Sequence, residues 1–389
     1  MTSQSETRPI YLDNHATTPV DPRVAAAVLS TMTSTFGNPN SSEHLYGEEA
    51  SNLVDVARRQ IGELLSTNYE AIHFTSGATE SIRIALAHAV SQRGHGPLRV
   101  ALARVEHRAV LDVVLEYERR GEATVDWIPV DGLAQIDLDA LDSACHKGID
   151  LVCVMAANNE VGTVYPLKDV AAIATSVGAR TLVDATQAAG SIPLNLNEFH
   201  IDYVAFSAHK MYGPKGVGAL VARALPSVRA TNSPTPGTGD GTPNVPGIVG
   251  LGEACRLRRL EMGNDERRMA ALRDELQGML QVAIPDLMVN GDIRHRLANN
   301  LHVAVPGVPS DAVIARLRRY VALSSGAACS SGAQTHSHVL KAMGLPEAVM
   351  DGALRIGVGK FTTQEEINLA APHIAAAVSA TRVALALAR

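Results

Sequence analysis

Lys210 closes the run Ser207-Ala208-His209-Lys210, directly after the apolar segment Tyr203-Val204-Ala205-Phe206, and it follows Asp184 by 26 residues. An amine at the end of a buried strand is held away from bulk water. Burial disfavours the ammonium, so the free amine that attacks a carbonyl becomes accessible near neutral pH and Schiff-base chemistry is open to it. Asp184 ends a second apolar run, Arg180-Thr181-Leu182-Val183. A Schiff-base lysine with an acidic partner for a ring nitrogen is the pair that pyridoxal phosphate (PLP) chemistry requires. A third reactive group, Cys329, lies within Leu323-Ser-Ser-Gly-Ala-Ala-Cys-Ser-Ser-Gly-Ala333. These small residues bury little, so a thiolate there could reach a substrate, the alternative being an inert thiol.

Other polar motifs fall at the ends of apolar runs. Thr75-Ser76-Gly77-Ala78-Thr79-Glu80 opens a helical pattern and could cradle a phosphate, or Ser76 or Thr79 could simply cap the helix. Ser207 and His209 could add phosphate donors. Glu106-His107 could place an imidazole over a pyridine ring to shuttle protons, or His107 could belong to an exposed loop. Asn158-Asn159-Glu160 and Gln187 could hydrogen-bond a phenolate oxygen, although Asn also serves in plain turns. Arg355, between Leu354 and Ile356, could clamp a carboxylate bidentately or form an internal salt bridge.

The elements that must position these groups alternate. Candidate strands are 71–74, 99–103, 125–130, 150–155, 180–183, 202–206 and 217–221, with helical patterns between most of them. Such alternation predicts an α/β fold with a mostly parallel, doubly wound seven-stranded sheet, in which ligands bind at the carboxyl ends of strands. Residues 233–247 are dense in Gly and Pro and read as a long loop. A long helix from Leu251 to about Val282, a strand over 298–305, a helix over 310–319 and a final helix from Thr362 towards Arg389 predict a smaller α/β domain.

Composition bounds the rest. With 389 residues, 46% hydrophobic and 19% charged, the chain reads as two globular domains, and a net charge of -6 makes no case for nucleic-acid or membrane-surface binding. The polar N-terminus, and the want of any run of about 20 apolar residues, predict a cytoplasmic protein without membrane spans. Cys145, Cys153, Cys255 and Cys329 are scattered, which argues against a disulfide framework and against a bound metal.

The motifs together resemble the cysteine desulfurases of the NifS/IscS type, among the fold-type I PLP enzymes. The likeness runs from Tyr11-Leu-Asp-Asn-His-Ala-Thr-Thr-Pro19 and Phe36-Gly-Asn-Pro39 to Leu354-Arg-Ile-Gly-Val-Gly-Lys-Phe-Thr-Thr363. It implies a large PLP-binding domain over residues 19–254 and a small domain made of 1–18 and 255–389. It also implies that Lys210 binds the cofactor covalently, Asp184 pairs with the pyridinium nitrogen, and Gln187 and Asn159 contact the phenolate oxygen and substrate region. His107 would stack on the ring and move protons, Ala78, Thr79, Ser207 and His209 would bind phosphate, and Thr242 would reach the phosphate of a partner subunit in a homodimer. Arg355 would hold the carboxylate of L-cysteine, and Cys329 would take its sulfur as a persulfide for a sulfur-acceptor protein, leaving L-alanine. Departures are Ile82-Arg83 after Ser81, a shorter loop before Gly241-Thr242 with Gly239 where an Arg is usual, and Gly357 for a serine. The sequence ends at Arg389 without the tail of the housekeeping members, which leaves iron–sulfur supply, tRNA thio-modification, thio-cofactor synthesis and DNA phosphorothioation all open as destinations. Selenocysteine lyase, a fold-type I aminotransferase and a degenerate partner subunit are the competing readings.

Overall fold

The computed structural model describes residues 8–223, 225, 241–325 and 336–387. Its strands are β1 (Ile10–Tyr11), β2 (Ile72–Thr75), β3 (Leu98–Ala103), β4 (Ala123–Ile128), β5 (Leu151–Cys153), β6 (Arg180–Asp184), β7 (Tyr203–Ser207), β8 (Gly218–Ala222), β9 (Met288–Val289), β10 (Asn300–Ala304), β11 (Val321–Ala322) and β12 (Ala353–Gly357). Seven form the central sheet in the order β2–β8–β7–β6–β5–β3–β4. β4, β3, β5, β6 and β7 run parallel, while β8 is antiparallel to both β7 and β2. All seven expected strands are present within two residues of their expected bounds.

Interior strands of such a sheet must be apolar on both faces, because helices cover both. β5, β7 and β8 are buried at every position. Along β7, Val204 and Phe206 pack with Ile61 and Leu65 of the helix Leu45–Leu65, and Tyr203 and Ala205 pack with Ile82 and Leu86 of the helix Ala78–Ser91. β4, at the edge, exposes Thr124 and Trp127.

A second sheet, β12–β10–β9, is antiparallel, and β1 pairs with β11. Its core joins Leu12 to residues between Met269 and Val378. The two cores share one 39-residue helix, Val245–Ala283: Ile248–Leu257 packs with the large sheet and Met269–Leu280 with the small one. This helix begins inside the stretch expected to be loop. Asn244 caps it by accepting from the Gly247 N–H at 3.1 Å, and Pro246 suits a first turn, whose N–H would have no helical partner. Residues 233–240 of that stretch, Gly239 among them, lie outside the described residues.

The expectation of no bilayer-length apolar run also needs correction. The helix Gln364–Leu387 is long and apolar enough to cross a membrane by length and composition. Its Ile367, Ala370, Ile374 and Val378 are buried in the small-sheet core, which accounts for the apolar character.

Candidate active site

The carboxyl ends of β2, β3, β5, β6 and β7 open on one cavity of about 920 Å³. Ala78, Thr79, His107, Asn159, Asp184, Gln187, Ser207, His209, Lys210 and Arg355 all line it. Sequence reasoning therefore brought ten residues from six separated segments to one wall. Thr242, just before the helix Val245–Ala283, is not among the lining residues, and Cys329 lies outside the described residues; Ser324 and Ser325, which lead towards it, do line the cavity.

Lys210 follows β7 on a single 3-10 turn, and its Nζ donates to the carbonyls of His15 (2.5 Å) and Ala16 (2.7 Å). Burial lowers its pKa to about 8, and Arg355 pushes the same way, against the pull of Asp184 and Asp13. The amine is thus poised to lose its proton. Two residues on, Tyr212 adopts φ +66°, and its N–H donates to Thr18 Oγ1 at 2.8 Å. A bulky residue rarely sits there, so backbone strain is held beside the reactive lysine.

Asp184 is 4% exposed, and its Oδ1 accepts from the Thr186 N–H at 2.9 Å. Thr186, which also lines the cavity, has an Oγ1 with no hydrogen-bond partner among the described residues. Behind them, Glu106 is buried with its Oε1 accepting from the Met155 N–H at 2.5 Å. Burial, then the charge of Asp184, raises its pKa well above the ordinary carboxylate value and favours its neutral form. His107 is not on a free loop: it caps the helix Arg108–Arg119, its Nδ1 accepting from the Ala109 N–H at 3.1 Å. Desolvation lowers its pKa, with Asp184 opposing, and its exposed ring borders the cavity.

The helix Ala78–Ser91 starts at Gly77, which offers no side-chain cap. Neither Ser76 nor Thr79 caps it. The Ser76 N–H donates instead to Glu80 Oε2 at 2.6 Å, and the first-turn N–H groups face the cavity as an anion cradle. His209, with its Nδ1 3.2 Å from Thr17 Oγ1, is kept neutral by burial and by Lys210 and Lys215, its pKa lowered to about 4. The Ser207 hydroxyl donates to the Val217 carbonyl at a long 3.5 Å. An amine, a carboxylate on the same cavity, a helix start without a side-chain cap and the Thr186 hydroxyl are a set of groups that fits PLP.

Arg355 lies on β12, opposite His302 of β10. Its Nη2 pairs with Asp13 at 3.1 Å, its Nη1 donates to the Asn159 carbonyl at 3.1 Å, and its Nε has no partner among the described residues. Asp13 also accepts from Ser324 Oγ at 3.2 Å, and Ser324 bridges to the Arg355 backbone. The neighbouring Asn158 is a turn residue, its Oδ1 accepting from the Glu160 and Val161 N–H groups. Asp13 and His15 line the cavity although the sequence reading gave them no role. Both sit within residues 11–19, so the only signal was polarity next to the apolar Ile10-Tyr11-Leu12 run.

Residues 10–369 match the family described as aminotransferase class-V. The chain is 40% identical over 370 residues to "Cysteine desulfurase IscS" of Anaeromyxobacter dehalogenans (strain 2CP-C), covering 93% of this chain and 90% of that protein. Among solved structures it is similar to a "NIFS-like protein" (TM-score 0.86, 33% identity, 96% of this chain and 100% of that one). It is also similar to DndA from Streptomyces lividans (TM-score 0.73, 32% identity, 89% and 99%).

Proposed function

The chain belongs to the class-V aminotransferase family, in its cysteine desulfurase branch, and on that premise we propose that it is a PLP-dependent enzyme that removes sulfur from L-cysteine. The observation that carries this reading is that Lys210, Asp184 and Arg355 face one cavity whose wall continues into the segment leading to Cys329. Bound PLP supplies an electron sink for charge developing next to the substrate nitrogen.

In this reading Lys210 holds the cofactor through its amine, helped by its lowered pKa, and afterwards carries protons with His107. Asp184 pairs with the ring nitrogen, and Gln187 faces the phenolate oxygen. The helix start at Ala78 and Thr79, with Ser207 and His209, receives the phosphate. Arg355 holds the substrate carboxylate, with Asn159 and Asp13 keeping the guanidinium in place. The Cys329 thiolate forms an S–S bond to the substrate sulfur as the Cβ–S bond breaks. Its electron pair stays with the carbon fragment, which is protonated and leaves as L-alanine. The persulfide passes to an acceptor protein.

The domain division at 19–254 and 1–18 with 255–389 belongs to the same proposal. Packing of Leu12 with the 269–378 core supports it, while Cys255 and Leu257 pack with the large-sheet core. A cytoplasmic homodimer completes it. The exposed apolar Leu29, Met32, Phe36, Leu45 and Tyr46, with Phe36 and Tyr46 stacked at 5.5 Å, offer a face for a second copy, and Thr242 stands clear of its own cavity.

The test is alanine and sulfide release from L-cysteine by PLP-loaded protein with a thiol reductant. We expect Cys329→Ala to abolish release while keeping the cofactor absorbance, and Lys210→Ala to lose the absorbance. Release undiminished in Cys329→Ala would move the assignment to another PLP reaction.

A further inference from the structure

His15 is buried, lines the cavity, and stands between two side-chain amides. Its Nδ1 is 3.1 Å from Gln187 Oε1, and its Nε2 is 3.2 Å from Asn300 Nδ2. Two backbone carbonyls fix which way both amides point. Asn300 Nδ2 donates to the Glu160 carbonyl at 2.9 Å, and Gln187 Nε2 donates to the His15 carbonyl at 3.0 Å. An amide nitrogen has no acceptor lone pair, so Asn300 Nδ2 must donate its second N–H to His15 Nε2. Nε2 is therefore bare, and the imidazole proton sits on Nδ1, where it donates to Gln187 Oε1. The oxygen of Gln187 is thereby turned to His15, and the second N–H of its Nε2 remains to donate into the cavity.

The protonation state agrees. Burial lowers the His15 pKa to about 3, the cations Arg355 and Lys210 disfavour a charged ring, and the hydrogen bonds to Gln187 and to the Asn299 backbone oppose them only in part. Space is also made for the arrangement. Gly162 has φ +78°, and a Cβ there would lie 2.4 Å from Asn300 Cγ. Asn300 stands on β10, so the chain of donors runs from the small sheet to the wall of the cavity.

We propose that His15 is a positioning residue which, with its tautomer set by Asn300, holds the Gln187 amide with its N–H turned to the cavity, as a donor to an anionic ring oxygen of the cofactor. The inference rests on the PLP reading. Such a donor stabilises the oxyanion most where charge is least shared, so it lowers the pH at which the cofactor–lysine chromophore loses its proton.

The experiment follows the visible absorbance of the PLP-loaded protein from pH 6 to pH 10, with the cofactor dissociation constant, for wild type, His15→Ala, His15→Asn and Asn300→Ala. We expect His15→Ala and Asn300→Ala to shift the chromophore midpoint upward by up to about one unit and to weaken cofactor binding by up to about tenfold. His15→Asn, whose amide N–H can replace Nδ1–H, should return towards wild type. If His15→Ala does not fold, Asn300→Ala against His15→Asn decides. An unchanged midpoint in the alanine variants, or equal shifts in His15→Ala and His15→Asn, would overturn the role of His15. Wild-type protein that takes up no PLP would instead overturn the cofactor reading.

Discussion

At the scale of single residues, the site works by withholding water from charged groups. Lys210 is brought to about 8 mainly by burial, and Glu106 and Glu160 are pushed towards their neutral forms by the same cause. Glu160 offers a direct check. It is 4% exposed, accepts from Ser337 Oγ at 2.5 Å, and has its pKa raised to about 7 by burial, against the pull of Ser337, Arg355 and Arg108. The folded chain thus binds this proton more tightly than the unfolded one. The resulting stability is fully present below the ordinary Glu range near 4.5 and is lost as pH rises through about 7. Glutamine keeps the acceptor for Ser337 without the charge. We expect Glu160→Gln to match wild type at pH 4 and to exceed it at pH 8 by on the order of 1–3 kcal/mol, read from urea unfolding at both pH values. Equal stability at pH 8 would show that the carboxylate is ionised at little cost.

Among elements, close backbone approach places the anion cradle. A Cβ on Gly218 of β8 would lie 2.5 Å from the Phe206 carbonyl and 2.7 Å from Gly77 Cα, so only glycine lets β7, β8 and the turn before the helix Ala78–Ser91 meet. Gly218→Ala must push the helix start away from the cavity. We expect a loss of about 1–3 kcal/mol in stability and a faster cofactor off-rate, measured by urea unfolding and by dilution of loaded protein. Unchanged retention would remove this helix from the cofactor site. The turn itself was legible as a helix start, since Thr75-Ser76-Gly77 separates two apolar patterns. That Gly77 rather than Ser76 or Thr79 is the cap was not, because capping depends on where each hydroxyl points, and Thr75 Oγ1 turns instead to Ser81 Oγ at 2.8 Å.

At the scale of the whole molecule, the apolar face carrying Leu29, Met32, Phe36, Leu45 and Tyr46 sits on segments adjoining the helices Pro22–Thr33 and Leu45–Leu65, which both pack on the helix Val245–Ala283 behind Thr242. If a second copy covers this face, a charge placed there should separate the subunits. We expect Leu29→Glu to sediment as a monomer at micromolar concentration, and its cofactor to dissociate faster because Thr242 no longer reaches the neighbouring site. A wild-type protein already monomeric at that concentration would refute the pairing.

The sequence by itself determined the strands and the polar residues at their ends. A buried strand needs an unbroken apolar run, and the residue at its carboxyl end is where polarity is allowed again, so Asp184, Ser207 and His107 announce themselves locally. What only the tertiary structure decided is the second ring of contacts. Asp13 on Arg355, His15 between Gln187 and Asn300, and Ser337 on Glu160 join residues 172 to 342 positions apart. No periodicity records such a pairing. It arises because the segment after β1, bridged to β12 at Asp13 and Gly357, brings His15 against Gln187 beyond the carboxyl end of β6, and a buried polar atom must then take whatever partner that packing brings within reach.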